Sequence, residues 1–239
     1  MAKTILIYGI HSVEELLNSN SSNIKIVYLK KNSSKLNDIL ILIKIKNIKY
    51  KFKTTEELTE ICNSNNHQGI VAEVEKNSIN SNDITYTEDI ILVLDHIQDT
   101  QNLGAILRTA EFFKTGAVII PDKRAARITS TVYKVAEGAV DKLKIKTVPN
   151  LMNEIKILKK NGYWITGADV HNGENIYNFN FPEKTVLVMG NEHKGISKLI
   201  SDNLDFKIKI PREGKTESLN VSVAAGIFLA FIRKSLNQK

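Results

Sequence analysis

The sequence predicts an α/β protein in two domains, the second built on a mostly parallel sheet covered by helices on both faces. Three observations predict it. Strand-like apolar runs alternate with stretches of helical period along the whole chain. The run "IILVLD" (90–95) is nearly continuous in apolar residues, as strands buried on both faces of a parallel sheet are. The polar, Asn/Ser-rich stretch "KNSINSNDITYTED" (76–89) interrupts the alternation once, as a linker would. The expected organisation is a small α/β domain over 1–76, a linker over 77–88 and a larger domain over 89–239.

In the first domain "TILIYGI" (4–10) reads as a strand. Ser12 and Glu15 have capping-box spacing and predict a helix through Leu17. "IKIVYL" is the next strand, and Leu36, Ile39, Leu40 and Ile43 recur at helical spacing. "IKYKFK" alternates apolar residues and lysine, the pattern of a strand with one wet face. Thr54 and Glu57 form a second capping-box pair, and "HQGIVAEVE" (67–75) closes the domain as loop plus strand. In the second domain "AVIIP", "KLKIKTV", "YWITGAD", "TVLVMG" and "FKIKI" are the further strands, with helical patterns between them.

Composition bounds the function. Of 239 residues 42% are hydrophobic, enough for a real core. No apolar run approaches the about 18 residues that span a bilayer, and the N-terminus lacks a signal-peptide pattern, so no membrane partner is expected. The single cysteine, Cys62, excludes an internal disulfide and a cysteine-rich zinc site and fits the reducing cytoplasm. The five histidines show no metal-ligand spacing, so no metal is expected. The net charge of +7 points to a polyanionic partner such as RNA, although a lysine-rich bias alone also produces it.

Three loops follow strand ends, where an α/β sheet binds its ligand. "HIQDTQNLGAILRTAEFF" (96–113) places Asn102 as a helix cap ahead of the apolar stripe Leu103, Ile106, Leu107 and Ala110, with Arg108 off the stripe and leaning back toward Asn102. "NEHKGIS" (191–197) brackets Asn191, Glu192, His193 and Lys194 between Gly190 and Gly195, which let a backbone approach a ligand closely. "PREGKTESLN" (211–220) puts Ser218 and Asn220 at a helix start, where capping needs one polar residue and not two. Neither a dinucleotide-type glycine fingerprint nor a Walker A loop is present, which counts against a nucleotide-dependent oxidoreductase. Lys123, Arg127, Ser130 and Lys134 share one face if 123–139 is helical, and that basic face is expected to follow phosphates.

Together "DTQNLGAILRTAEFF", "VLVMGNEHKGIS" and "IPREGKTESLNVSVAAGI" resemble, in order, the three signature motifs of the SpoU (TrmH-type) ribose 2′-O-methyltransferases of the SPOUT superfamily. "YGIHSVEELL" and "HQGIVAEV" resemble the RNA-binding extension of that family's rRNA enzymes, which narrows the likeness to those acting on a guanosine of 23S rRNA. The resemblance implies an α/β trefoil-knot methyltransferase domain behind a small α/β RNA-binding domain, and a homodimer. It implies S-adenosylmethionine as cofactor, held around Gly190, Ile210 and Leu219 with Met189, Asn191 and Gly195 beside them. It implies Arg108, Asn102, Glu192, Ser218 and Asn220 as the catalytic set. In the first domain His11, His67 and Gln68 are candidate RNA contacts, although a lone histidine is more often structural. A tRNA or a different rRNA site as substrate, or a non-catalytic RNA-binding ribosome-assembly protein on the same fold, are the rival readings. Two residues depart from the family pattern: Thr100 stands where proline is common and His193 where a small residue is usual.

Overall fold

A computed structural model describes residues 4–18, 24–75, 85–170 and 172–238. The chain begins β1 (Thr4–Tyr8), α1 (Ile10–Asn18), β2 (Ile24–Lys30), α2 (Asn37–Ile45), β3 (Tyr50–Lys53), α3 (Thr55–Cys62) and β4 (Ile70–Glu75). It continues with β5 (Ile90–Leu94), α4 (Thr100–Phe112), β6 (Ala117–Pro121), α5 (Ser130–Ala136), α6 (Ala139–Lys142), β7 (Lys144–Val148), α7 (Leu151–Lys160) and β8 (Trp164–Ala168). The last elements are β9 (Glu174–Asn175), β10 (Thr185–Met189), α8 (Lys198–Ser201), β11 (Phe206–Lys209) and α9 (Val221–Asn237). The contacts divide the chain into two units, Met1–Ser78 with Ile128–Lys142, and Ile79–Arg127 with Leu143–Lys239. The linker expected over 77–88 lies outside the described residues as far as residue 84.

The first unit carries a four-stranded sheet in the order β1-β4-β2-β3, antiparallel except for the parallel β2/β3 pair. Thr54 caps α3 through a full capping box: its hydroxyl accepts from Glu57 N–H, and the Glu57 carboxylate accepts from Thr54 N–H at 2.8 Å. Such a cap is worth about 1 kcal/mol. The capping box expected at Ser12 does not form. Helix α1 starts at Ile10, and Ser12 lies inside it, because Gly9 at φ +96° turns the chain earlier and its carbonyl accepts from Val13 N–H. On the edge strand β3, Phe52 is exposed rather than buried, set edge-to-face against Tyr50.

The second unit is a seven-stranded sheet, parallel throughout, in the order β7-β6-β5-β10-β8-β11-β9. Strands β5, β6 and β10 are buried along their whole length, as their unbroken apolar sequences require. The chain runs from β5 outward to β7, then re-enters beyond β5 and returns, so the direction of winding reverses between β5 and β10. Ligands of open parallel sheets bind outside the carboxyl ends of the strands at such a reversal. Helix α4 packs on α9; Leu103, Ile106, Leu107 and Ala110 are buried on the first and Ala225, Phe228, Leu229 and Ile232 on the second. The close approach is made at Gly226, where a Cβ would stand 3.5 Å from Thr109 Cγ2. No helix of the described residues is long and apolar enough to cross a membrane.

The basic segment 123–134 is not one helix. Arg124 is left-handed at φ 56°, and Ala126 N–H is tied to the carbonyl of Ile97 at 2.8 Å, so residues 122–129 run as a loop and the helix begins only at Ser130, capped by Thr129. Lys123 and Arg127 therefore share no helical face with Lys134.

Candidate active site

The site is assembled from the carboxyl ends of β5, β10 and β11. Asp95 follows β5; its N–H donates to the carbonyl of Met189 at 2.8 Å and joins the ends of β5 and β10. Its carboxylate, 1% exposed, accepts from Ser197 N–H at 2.6 Å and lies 2.6 Å from His96 Nδ1. A buried charge needs such partners. Asp95 thus pins the far end of the loop that leaves β10. Its only mark in the sequence is an acidic residue closing an otherwise apolar strand.

That loop, Gly190 to Ile196, closes on itself. Asn191 and Gly195 exchange backbone hydrogen bonds at 3.0 and 2.9 Å. Asn191 Oδ1 accepts from His193 N–H and Lys194 N–H, the local turn that asparagine favours. Gly195 is left-handed at φ +66°. A Cβ at Gly190 would fall 2.2 Å from Gly195 C and 2.3 Å from Ile196 N, so only glycine fits. Asn191 also donates to the His96 carbonyl at 2.8 Å, so the loop is held to both sides of the β5 end.

Glu192 is the centre of convergence. Its Oε1 accepts from Asp99 N–H at 3.3 Å and Asn102 Nδ2 at 3.2 Å, and its Oε2 accepts from Gln98 N–H at 3.4 Å and Asn191 Nδ2 at 3.2 Å. Four donors use the acceptor capacity of one carboxylate. These bonds tie Glu192 to the segment before α4 and to Asn191, and its acceptor sites are already engaged.

Asn102 is not the cap of α4. Asp99 takes that role, its Oδ1 accepting from Gln101 N–H at 2.5 Å and Asn102 N–H at 3.2 Å. The Asn102 side chain is released to bridge: it donates to Glu192 and accepts from Asn220 Nδ2 at 2.9 Å. Asn220 in turn caps α9, its Oδ1 accepting from Ser222 N–H at 2.8 Å. A relay Asn220–Asn102–Glu192 thus ties the three motif loops together. Ser218 lies exposed two residues before the cap, beyond the relay. Arg108 is exposed on α4, off the buried stripe, as its spacing predicted.

Of the other expected positions, Met189 is buried, Ile210 half-buried and Leu219 exposed at 49%. In the first unit His11 and Gln68 are exposed, but His67 is 3% exposed, its Nδ1 accepting from Gly69 N–H at 2.9 Å and its Nε2 3.2 Å from Thr59 Oγ1. His67 shapes its turn from inside, so it is set aside as an RNA contact. Among the described residues no group of three His, Cys, Asp or Glu side chains could hold a metal ion.

Known proteins match the chain along its whole length. The profile of the SpoU rRNA Methylase family matches residues 89–230, and that of the RNA 2′-O ribose methyltransferase substrate binding family matches residues 6–79. An uncharacterized tRNA/rRNA methyltransferase of Borreliella burgdorferi is 41% identical over 88% of this chain and 98% of its own. The 23S rRNA (guanosine-2′-O-)-methyltransferase RlmB of Neisseria meningitidis is 35% identical over 98% of this chain and 96% of its own. The AdoMet complex of the SpoU methyltransferase AviRb from Streptomyces viridochromogenes superposes with a TM-score of 0.82, covering 99% of this chain and 92% of that one at 21% identity, a likeness of fold.

Proposed function

The chain belongs to the SpoU rRNA methylase family, and we propose that it transfers the methyl group of S-adenosylmethionine to the ribose 2′-hydroxyl of a guanosine in 23S rRNA. The relay that joins Asn220, Asn102 and Glu192 carries this reading, because it gathers three motif loops separated by up to 118 residues at the winding reversal of the sheet.

The residues fit the cofactor. Around the loop after β10, space is open where Gly195 would carry a Cβ, and the exposed Leu219 and half-buried Ile210 offer apolar contact beside backbone groups. Gly190, Asn191, Met189, Ile210, Leu219 and Gly195 would hold it. Bound there, S-adenosylmethionine supplies a methyl group already made electrophilic by its sulfonium.

The ribose oxygen needs an in-line approach and must lose its proton, so positioning supplies much of the rate. A guanidinium is a fixed cation with donors only and cannot serve as a base. Arg108 therefore holds an RNA phosphate and stabilises the negative charge developing on the 2′-oxygen. A phosphate oxygen or water takes the proton, since Glu192 has its acceptor sites filled. Ser218, next to Leu219, orients the loop or the ribose. Lys123 and Arg127 supply phosphate contacts beside the β5 end, where their loop is anchored to Ile97. Lys134, His11 and Gln68 contact RNA in the first unit.

The knotted path and a homodimer belong to the same proposal. Leu219 and Val223, about half exposed at the start of α9, are the apolar surface that a second copy would cover. A cytoplasmic location is part of the same proposal, supported by rRNA as the substrate.

The test uses purified protein, methyl-labelled S-adenosylmethionine, and 23S rRNA and tRNA lacking the modification. Label confined to one guanosine of 23S rRNA, mapped by primer extension at limiting dNTP, is the expected result. Label in tRNA alone would keep the chemistry and overturn the substrate.

A further inference from the structure

Two turns separated by 58 residues meet in the first unit. Ile10 N–H donates to Gln68 Oε1 at 2.8 Å, and Gly9 N–H donates to the carbonyl of Ile70 at 3.3 Å. Gly9 and Gln68 are both left-handed, at φ 96° and 53°, and a Cβ at Gly9 would stand 3.4 Å from Gln68 Oε1. The turns are fixed against each other, and a cavity of about 560 Å³ opens beside them, within the range of ligand sites. Tyr8, His11, Asn66 and Gln68 line it from the turns and from the start of α1. Glu14, Glu15, Lys134 and Glu137 are the charged residues of its wall, and the whole lining lies within the same unit.

The lining has a definite chemical preference. Three carboxylates against one ammonium make it acidic, in a chain whose net charge is +7. A phosphate is repelled there, whereas a group that donates hydrogen bonds is drawn in. The Gln68 carboxamide has its oxygen committed to Ile10, which leaves its Nε2 to donate to a ligand. Tyr8 and His11 present rings of the kind on which unpaired RNA bases stack. Among the four RNA bases only guanine sets two adjacent N–H donors, N1 and N2, beside an acceptor, O6. A carboxylate such as Glu14 matches the first pair, and Gln68 or Lys134 matches the second.

We propose that this cavity receives one unpaired guanine of the substrate RNA, so that the first unit reads a base and not only the phosphate backbone. The proposal rests on the methyltransferase reading only in taking RNA as the ligand. A base read in an exposed cavity suits a loop or bulge rather than a duplex.

The probes are short fluorescent oligouridylates carrying one central guanine or one central adenine, titrated by anisotropy into the full chain without cofactor. The guanine probe is expected to bind about tenfold more tightly than the adenine probe. His11→Ala and Glu14→Gln are expected to bring the two within about twofold of each other. Both residues are exposed surface positions, so the variants should keep their fold, checked by thermal unfolding; Gln68→Ala is the stronger but structurally riskier third. Equal binding of the two probes by the wild-type chain would overturn the proposal, as would an unchanged guanine preference in both His11→Ala and Glu14→Gln. Cofactor binding and methyl transfer are measured separately. A flat preference with methyl transfer intact contradicts the cavity alone; a guanine preference without methyl transfer upholds the cavity and contradicts the catalytic reading.

Discussion

Asn102 Nδ2 donates to Glu192 Oε1 at 3.2 Å across 90 residues of chain, while Asn102 Oδ1 accepts from Asn220. One amide therefore satisfies an acceptor on one loop and a donor on another, which neither a carboxylate nor an aliphatic side chain can do. Asn102→Ala is expected to lower kcat/KM about a hundredfold through misplacement of the loops, with cofactor affinity nearly retained. Asn102→Asp should lower it further, because a second carboxylate would face Glu192. Single-turnover methylation with a parallel cofactor titration separates the effects. Equal loss of cofactor binding in Asn102→Ala would contradict the role.

Gly190 has no room for a methyl group, with backbone atoms of Gly195 and Ile196 at 2.2 and 2.3 Å from a Cβ placed there. Gly190→Ala must therefore open the loop that Asn191 and Asp95 hold. Cofactor affinity should fall at least about tenfold, while the thermal midpoint moves little because the loop lies at the edge of the core. Calorimetric titration with S-adenosylmethionine checks this.

Lys146 and Glu154 form a buried ion pair at 2.7 Å, and Tyr86 donates its hydroxyl to the same carboxylate oxygen. Burial first, and then the Glu154 carboxylate, hold the Tyr86 hydroxyl far above its ordinary range, so it stays a donor. Removing one partner strands a buried charge. Lys146→Met is expected to cost about 3–5 kcal/mol, read as a lowered urea midpoint. Changing Lys146 and Glu154 together to apolar residues should cost less than the single change.

Cys62 is a half-buried thiol with Leu58 and Ser64 carbonyls at 3.1 and 3.3 Å from its sulfur. Burial raises its pKa. The folded chain thus holds the proton more tightly than the unfolded one, and the stability this contributes is present below the unfolded pKa and lost as pH rises through the folded one. Iodoacetamide should modify Cys62 more slowly than free cysteine at pH 8, and denaturant should abolish the difference. Rapid modification of the folded chain would contradict this environment.

Much of the site was legible because a parallel sheet leaves little choice: loops after β5, β10 and β11 must emerge at one edge, so their polar residues gather there. What each residue does within the gathering was not legible. Asn102 reads as a cap from its neighbours, but Asp99, three residues earlier, caps the helix, and the partners of Asn102 lie 90 and 118 residues away. Asp95 looked like the end of a strand, and only the fold brings Ser197 to it. His67 reads as an exposed loop histidine; it is buried because its two ring nitrogens meet Gly69 and Thr59, a pairing that depends on how α3 lies beside β4. The basic face expected over 123–134 failed for a local reason, the left-handed Arg124 and the tie from Ala126 to Ile97.

The central claim is methyl transfer to a ribose, organised by Arg108. The most direct measurement incubates the wild-type chain and Arg108→Ala with tritiated S-adenosylmethionine and unmodified 23S rRNA, then digests the RNA with alkali. A 2′-O-methyl group blocks cleavage at its own phosphodiester, so the wild-type label should appear in an alkali-resistant dinucleotide beginning with guanosine. Arg108→Ala should lose at least about a thousandfold in rate while binding the cofactor normally. Label in mononucleotides, which marks a methylated base, or full activity in Arg108→Ala would contradict the account.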